Sequence, residues 1–493
     1  MASRILLRSR GVAAVVFPLL VASSFAFTVV ACATLKKVDD PADAAVEAGD
    51  EQTPVTEDAS TVDSGQGDSA LPDSGAPLLD FECPTDPWTK VTKLKTECAP
   101  RQVKLVESPS PADVRGVSIA RTPAGRVGIV YNAEQGADTG ELHLVHFTPA
   151  TPTYPPPKLL TIATGFAFHD GYSAKIAASA PDTLQVLSYD MDDSSQTGEV
   201  HLRKLVAGTL PLTTSLLIAT GVKSPTELAF ASDPAGNTVA AYRLATVGAT
   251  AKLASKQGTP AGVFTALPDL TTTLHPGAAP GVGAGSLVFD QGGQAHFLYH
   301  YNNDALAPQF TTPRYHTLAG NVWSTPKTID NNAPDGVSGF SASLAVFGTK
   351  KYAALFFVKA VAPGTITADL RLISWDASAD VPTVEILDSQ IPLMDPLYPA
   401  YRVAIAVDKF GLVHVALLRP TDAAHKNGYL EYRRQTRQPG GGTKWLSDIV
   451  DPTVFSEFSS AFVDMVVDDK ARPHIAYRSG KDDNVYYATR FDR

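Results

Sequence analysis

Beyond position 100 the chain alternates short apolar runs with tight polar turns. Seven segments share one layout, at 117–131, 175–189, 228–242, 286–299, 343–357, 403–417 and 463–477. Each begins with an apolar strand such as VSIA or VAIAV. A polar turn such as TPAG or DKFG follows, and then a second apolar strand. The segments end at Tyr131, Tyr189, Tyr242, Tyr299, Phe357, Leu417 and Tyr477, 53 to 60 residues apart. A fixed period with period-two alternation inside it predicts a repeat built from strands.

Each unit continues with a second hairpin. Third strands read GELHLVHF, GEVHLRKL, ADLRLISW, GYLEYRRQ and NVYYATRF. Fourth strands read PKLLTIAT, TSLLIAT, VWSTPKTID and KWLSDIVD. Four short strands per unit, Gly/Pro/Asp turns and no helical period predict antiparallel sheets repeated radially. One such sheet leaves apolar faces uncovered, whereas stacked neighbours cover one another. The expected fold is therefore all-β, a seven-bladed β-propeller of four-stranded blades over 101–493. The last unit ends after its third strand, and an extra strand, RQVKLVES at 101–108, precedes the first unit. That strand is expected to complete the last blade and remove an open edge.

The turn-then-strand motifs Asp408-Lys409-Phe410-Gly411-Leu412-Val413-His414 and Asp468-Asp469-Lys470-Ala471-Arg472-Pro473-His474 resemble those of sialidase-like and related β-propellers. The resemblance implies the fold over 101–493. The Ser-x-Asp-x-Gly-x-x-Trp box of sialidases is missing. Ser232-Asp233-Pro234-Ala235-Gly236 has its aspartate one place early and no tryptophan after it.

Charge divides the chain into a different set of parts. Residues 1–37 carry five bases and no acid, and residues 38–80 carry twelve acids and no base. The remaining 36 bases and 39 acids leave 81–493 nearly neutral. A nearly neutral body lacks the basic surplus that nucleic acid demands, so that class of partner is excluded. Residues 32–80 are rich in Ala, Asp, Ser and Pro, without the apolar content to offset the entropy of ordering. They are expected to be a disordered acidic linker.

Arg4, Arg8 and Arg10 precede an apolar run from Gly11 to Ala31, the layout of a secretory signal peptide over 1–31. An uncleaved membrane span is the other reading of a run of this length. The run ends Val29-Val30-Ala31-Cys32, which resembles the lipobox of bacterial lipoproteins. That resemblance implies cleavage before Cys32 and acylation of its thiol and amine. The expected address is the cell envelope, lipid-anchored, at the outer membrane or cell surface rather than the inner membrane. Cys83 and Cys98 lie in the lead-in, 81–100. In an oxidising compartment a disulfide is expected between them, closing a loop worth about 3 kcal/mol in chain entropy.

Candidate chemistry is sparse. His296, His414 and His474 recur three residues before their units end, in units that are not all adjacent, so a structural role is expected and no metal site. No Gly-x-Ser-x-Gly or His-Glu-x-x-His occurs, and Gly440-Gly441-Gly442-Thr443-Lys444 reads as a hairpin turn, so no cofactor is expected. The residues after each unit's end strand should emerge together on one face. They include Asn132, Asp190, Arg243, His300 and Arg478, joined by Tyr398, Tyr401 and Arg402 from a connection between units. These form the candidate binding face. The leading expectation is a monomeric, non-catalytic module that binds a glycan or an envelope protein. A glycan-active enzyme, hydrolase or lyase, is the alternative, with Asp190, Asp193 and Asp483 as available carboxylates. A purely structural envelope protein is the third reading. Labelling with radioactive palmitate tests the anchor: the parent chain should label and Cys32→Ser should not.

Overall fold

The structure is a computed structural model. It describes residues 101–106, 114–134, 140–149, 158–166, 174–192, 197–206, 215–244, 252–270, 285–302, 311–330, 336–362, 365–376, 381–393, 403–422, 427–438, 440–454, 462–479 and 484–489. Every regular element among them is a β-strand. The signal peptide, linker and lead-in, including Cys32, Cys83 and Cys98, lie outside the described residues.

Strand β1 (Arg101–Val106) leads in. The first unit is β2 (Val114–Arg121), β3 (Val127–Glu134), β4 (Gly140–Phe147) and β5 (Lys158–Phe166). The next strands are β6 (Lys175–Ser179), β7 (Thr183–Asp192), β8 (Thr197–Val206), β9 (Leu216–Ser232), β10 (Thr238–Leu244), β11 (Lys252–Gly258) and β12 (Phe264–Ala266). The fourth unit holds β13 (Ser286–Phe289), β14 (Ala295–Asn302), β15 (Thr311–Ala319), β16 (Val322–Trp323) and β17 (Lys327–Thr328). The fifth holds β18 (Gly336–Phe347), β19 (Lys350–Ala362), β20 (Thr365–Asp376) and β21 (Thr383–Leu393). The sixth holds β22 (Val403–Val407), β23 (Val413–Pro420), β24 (Gly428–Arg437) and β25 (Thr443–Asp451). The last holds β26 (Val463–Val467), β27 (Pro473–Ser479) and β28 (Asn484–Thr489).

All pairings are antiparallel, and the innermost strands follow one another around one axis in the order β2, β6, β9, β13, β18, β22, β26 and back to β2. The fold is an all-β propeller. The expectation of seven separate four-stranded blades is corrected. Five blades stand as separate sheets, and the second and third units share a single seven-stranded sheet, β6 through β12. The cause is β9, which runs unbroken for 17 residues. Its first part pairs with β8 and its second part with β10, with register shifts in both ladders. Gly221, at φ 67, supplies the left-handed backbone at the changeover. The fourth unit also departs from four strands, because β16 and β17 both pair with β15.

β1 pairs with β28, from Arg101 opposite Thr489 to Val106 opposite Val485. The last sheet is thus completed by the first strand of the described chain. Between sheets lie apolar layers drawn from two neighbouring units. Tyr131, Ile129 and Phe147 pack with Ala476, Val485 and Tyr487 across the seam between the first and last units. Arginines staple other seams: Arg126 Nε donates to Asp182 Oδ1 at 2.9 Å, Arg371 Nη1 to Asp330 Oδ2 at 2.9 Å, and Arg433 Nη2 to Asp388 Oδ2 at 3.0 Å.

The three recurring histidines each join a turn to two strands. His296 Nε2 lies 3.2 Å from Asp290 Oδ2, and its Nδ1 lies 2.6 Å from the Tyr315 hydroxyl. His414 meets Asp408 and Tyr432 at 3.2 and 2.6 Å, and His474 meets Asp468 and Tyr487 at 3.3 and 2.5 Å. The aspartates open the turns and accept main-chain N–H groups within them, as Asp408 Oδ1 does from Phe410 and Leu412. Gly293 and Gly411 sit late in two of these turns at φ 78 and 80, and Ala471 holds the same place in the third at φ 61.

Two expectations follow from these turns. Ala471→Gly should stabilise the fold by about 1 kcal/mol, because it removes a left-handed alanine; chemical denaturation measures it. Acid should destabilise the fold in two stages. Burial lowers the imidazoles of His296 and His474 below their ordinary value, against the pull of their aspartates. Their unfolded forms therefore bind protons first, and stability present above about pH 6.5 is lost as pH falls. Burial alone would raise Asp468, but the His474 and Arg472 hydrogen bonds and charges hold it well below the usual range. Its contribution, present above about pH 4, is lost at still lower pH. Melting temperature measured from pH 7 downward should fall through both windows.

Candidate active site

Register decides which side chains meet. In the first unit Ser118 on β2 pairs with Val130 on β3, and in the second Lys175 on β6 pairs with Leu187 on β7. Ile119 N–H bonds back to Asp464, and Ile176 N–H bonds back to Ser118, so Ser118 and Lys175 are counterparts. Ser188, not Tyr189, therefore stands where Tyr131 stands. Side chains on a strand alternate, so Asp190 shares the face of Ser188, the counterpart of Tyr131, and points away from Tyr189. Val186, Ser188 and Asp190 share the face whose buried part, Val186, packs with Val130 and Leu142 of the first unit.

The ladder between β7 and β8 then assembles a polar group. Asp190 is opposite Glu199, Ser188 opposite His201, and Val186 opposite Arg203. Directly opposed side chains have Cβ atoms about 5 Å apart. Arg203 Nη1 donates to Ser188 Oγ at 2.8 Å. His201 Nε2 lies 3.1 Å from Glu199 Oε2, and its Nδ1 lies 2.8 Å from Ser215 Oγ. Asp190 is half-buried, while the Glu199 side chain is 49 % exposed. Burial raises the Asp190 carboxyl above its ordinary value. The His201 and Arg203 charges oppose this, and the Glu199 charge adds to it. Burial also lowers the Arg203 guanidinium. The result is a protonatable acid beside a more exposed carboxylate, within reach of an imidazole and a guanidinium.

The other candidate residues are placed differently. Asn132, Arg243 and Arg478 are buried rather than displayed. Arg478 N–H bonds to the Phe462 carbonyl at 3.0 Å. His300 lies on β14 opposite Pro313. Tyr398, Tyr401 and Arg402 lie outside the described residues, as do Asp193 and Asp483.

On the axis the inner strands surround a cavity of about 350 Å³. Aliphatic residues line much of it, and Ser118, Arg121, Lys175, Ser286, Ser343 and Asp464 are among its polar lining residues. Glu199, His201, Arg203, Ser215, Lys175 and Asp464 were not singled out by sequence. The alternation of Glu199, His201 and Arg203 in GEVHLRKL is the signal that marks one polar strand face. Lys175 and Asp464 are charges set into otherwise apolar inner strands.

No known family model and no curated protein sequence matches the chain. Solved structures do resemble it. The GH93 α-L-arabinofuranosidase of Fusarium graminearum has TM-score 0.44 and 9% identity, over 79% of this chain and 96% of that one. The polysaccharide lyase Uly1 has TM-score 0.46 and 10% identity, over 78% and 90%. The Trypanosoma rangeli sialidase has TM-score 0.42 and 9% identity, over 79% and 58%. At such identities the likeness concerns the fold alone. These neighbours are glycan-active enzymes, which at such likeness is said of them and not of this chain; the reading that put a non-enzymatic module first is not carried forward.

Proposed function

We propose that the propeller is a glycan-active enzyme, displayed on the cell envelope through a lipid on Cys32, with Asp190 and Glu199 as its reacting carboxyl groups. The observation that carries this reading is their direct opposition on β7 and β8, with burial raising the carboxyl of Asp190, the less exposed of the two. Glycoside cleavage needs two carboxyl groups on one face, one protonated and one ionised, about 5 to 10 Å apart. A pair whose environments differ divides these roles between its members.

In this reading Asp190 protonates the departing glycosidic oxygen. Glu199 acts on the opposite side of the reacting carbon, as nucleophile or as base toward a water. His201, 3.1 Å from Glu199 Oε2, fixes the orientation of that carboxylate. Ser215, 2.8 Å from the other ring nitrogen, fixes the imidazole in turn. Arg203 is held by Ser188 and lies in the field of Asp190, where its charge limits the upward shift of the acid.

The test is turnover of a panel of neutral and acidic polysaccharides, read as new reducing ends. The parent should cleave at least one of them. Asp190→Asn and Glu199→Gln should each lower kcat/KM by about 100-fold or more. The rate should fall on the alkaline side as Asp190 loses its proton, and this limb should vanish in Asp190→Asn. A parent inert toward the whole panel, or variants as active as the parent, would overturn the assignment.

A further inference from the structure

One hydrogen bond recurs between the inner strands of successive units, and it fails at two neighbouring places. By register, Ser118, Lys175, Ala229, Ser286, Ser343, Ala404 and Asp464 hold one equivalent position on the seven inner strands. Where that residue can accept, it takes a main-chain N–H from the next unit. Ser118 accepts from Ile176 at 3.4 Å, Ser286 from Leu344 at 2.9 Å, Ser343 from Ile405 at 3.2 Å and Asp464 from Ile119 at 3.0 Å. Beside Ala404 the equivalent donor, Met465 N–H, bonds to Asp464 Oδ1 at 2.9 Å instead. The two donors left are Phe230 and Leu287. The residues placed to accept from them are Lys175 and Ala229. An ammonium and a methyl group have no lone pair to offer. A Cβ on Gly285 would stand 3.4 Å from that of Ala229, so Ala229 does face the inner strand of the fourth unit.

The ladder shows where these two N–H groups point. Asp233 N–H bonds to the Asn237 carbonyl at 2.9 Å, and Asp290 N–H to the Gln294 carbonyl at 2.9 Å. Bonded and non-bonded pairs alternate along an antiparallel ladder. Phe230 opposite Ala240 and Leu287 opposite Phe297 lie three steps further on, so both are non-bonded pairs. Their N–H and C=O groups face away from the partner strand, into the axial cavity that both residues line. Buried main-chain N–H groups are rarely left unmet. Charge in the lining is already matched. Arg121 Nη2 lies 3.3 Å from Asp469 Oδ1, and Lys175 stands in the field of Asp464.

We propose that the axial cavity binds one neutral monosaccharide, whose hydroxyl oxygens accept the Phe230 and Leu287 N–H groups. A hydroxyl both accepts and donates, so it can answer the N–H and the C=O that each residue turns to the axis. Ser286 and Ser343 accept main-chain N–H groups and keep their own protons to give to further sugar oxygens. Ile119, Val288 and Leu344 lie in the same lining and meet the C–H groups of the ring. A volume of about 350 Å³, at the small end of ligand pockets, suits a single ring. A charged ligand enters without a counter-charge, and an apolar one leaves both N–H groups unmet. Neither Asp190 nor Glu199 lines the cavity, so this site goes beyond the proposed cleavage and does not rest on it.

Calorimetric titration of the full chain in detergent tests it, with D-glucose, D-galactose, D-mannose, D-xylose and L-arabinose, and with D-glucuronate and D-galacturonate. At least one neutral sugar should bind, and each uronate about tenfold or more weakly than that sugar. Ala229→Ser supplies the missing acceptor for Leu287 N–H and should weaken the sugar about fivefold, the loss of one hydrogen bond. Ala404→Ser is the control, because Met465 N–H is already held by Asp464, and it should bind as the parent does. Asp190→Asn should also bind as the parent does, which separates this site from the cleavage reading. Failure of every neutral sugar to bind, a uronate binding equally well, or equal affinity in Ala229→Ser and Ala404→Ser would each overturn the proposal. The comparison of neutral and acidic sugars uses the parent chain alone and holds even if Ala229→Ser fails to fold.

Discussion

Among the described residues, the sheets of this propeller bury their apolar faces against neighbouring units. The structure therefore depends on closing the ring. Closure is made twice. β1 adds to β28 by main-chain hydrogen bonds, which removes an open edge from the last sheet. Nearer the axis, Asp464 takes the Ser118 hydroxyl and the Ile119 N–H, joining the last inner strand to the first. A buried carboxylate is costly unless its oxygens are satisfied, and here three donors satisfy them. The contact that shuts the ring is thus also the contact that places a charge on the axis.

Closure sets what the strands offer to solvent. Strand faces are taken up by packing between units, and Asn132, Arg243 and Arg478 are buried. The second unit differs. Its ladder sets Ser188, Asp190, Glu199, His201 and Arg203 on one face, and half of the Glu199 side chain stays exposed. Polar groups gathered there shift one another's protonation. Burial holds Asp190 toward its neutral form, while Arg203 and His201 restrain that shift. An acid and a carboxylate of unequal environment are what glycoside cleavage requires.

Much of the fold was legible because strand patterns are local. The alternation within segments such as VAIAV and VHVALL fixes a buried face, and the Asp-x-x-Gly turns of the third, fourth and sixth units fix where those hairpins reverse. The strand at the start of the described chain was readable as the missing partner of the last unit. The count of separate sheets was not. The run from Leu216 to Ser232 contains Gly221 and Ser224-Pro225, which read as a break between units, and only its hydrogen bonds reveal that one strand serves two units. The site was legible in part. Asp190 stood out as a carboxylate near a strand end, but aligning Tyr189 with Tyr131 misjudged its direction by one residue.

Sequence by itself determined the all-β character, the repeat, the hairpin turns and the buried role of the three turn-linked histidines' strands. These follow from periodicities of two residues and from turn chemistry spanning four or five. Tertiary structure alone decided the fusion of the second and third units, the pairing of Asp190 with Glu199 on a shared face, and the meeting of Lys175 with Asp464. Those depend on register and on ring closure, which bring together residues far apart in the chain. A shift of one residue or one missing seam would separate them without changing any local pattern.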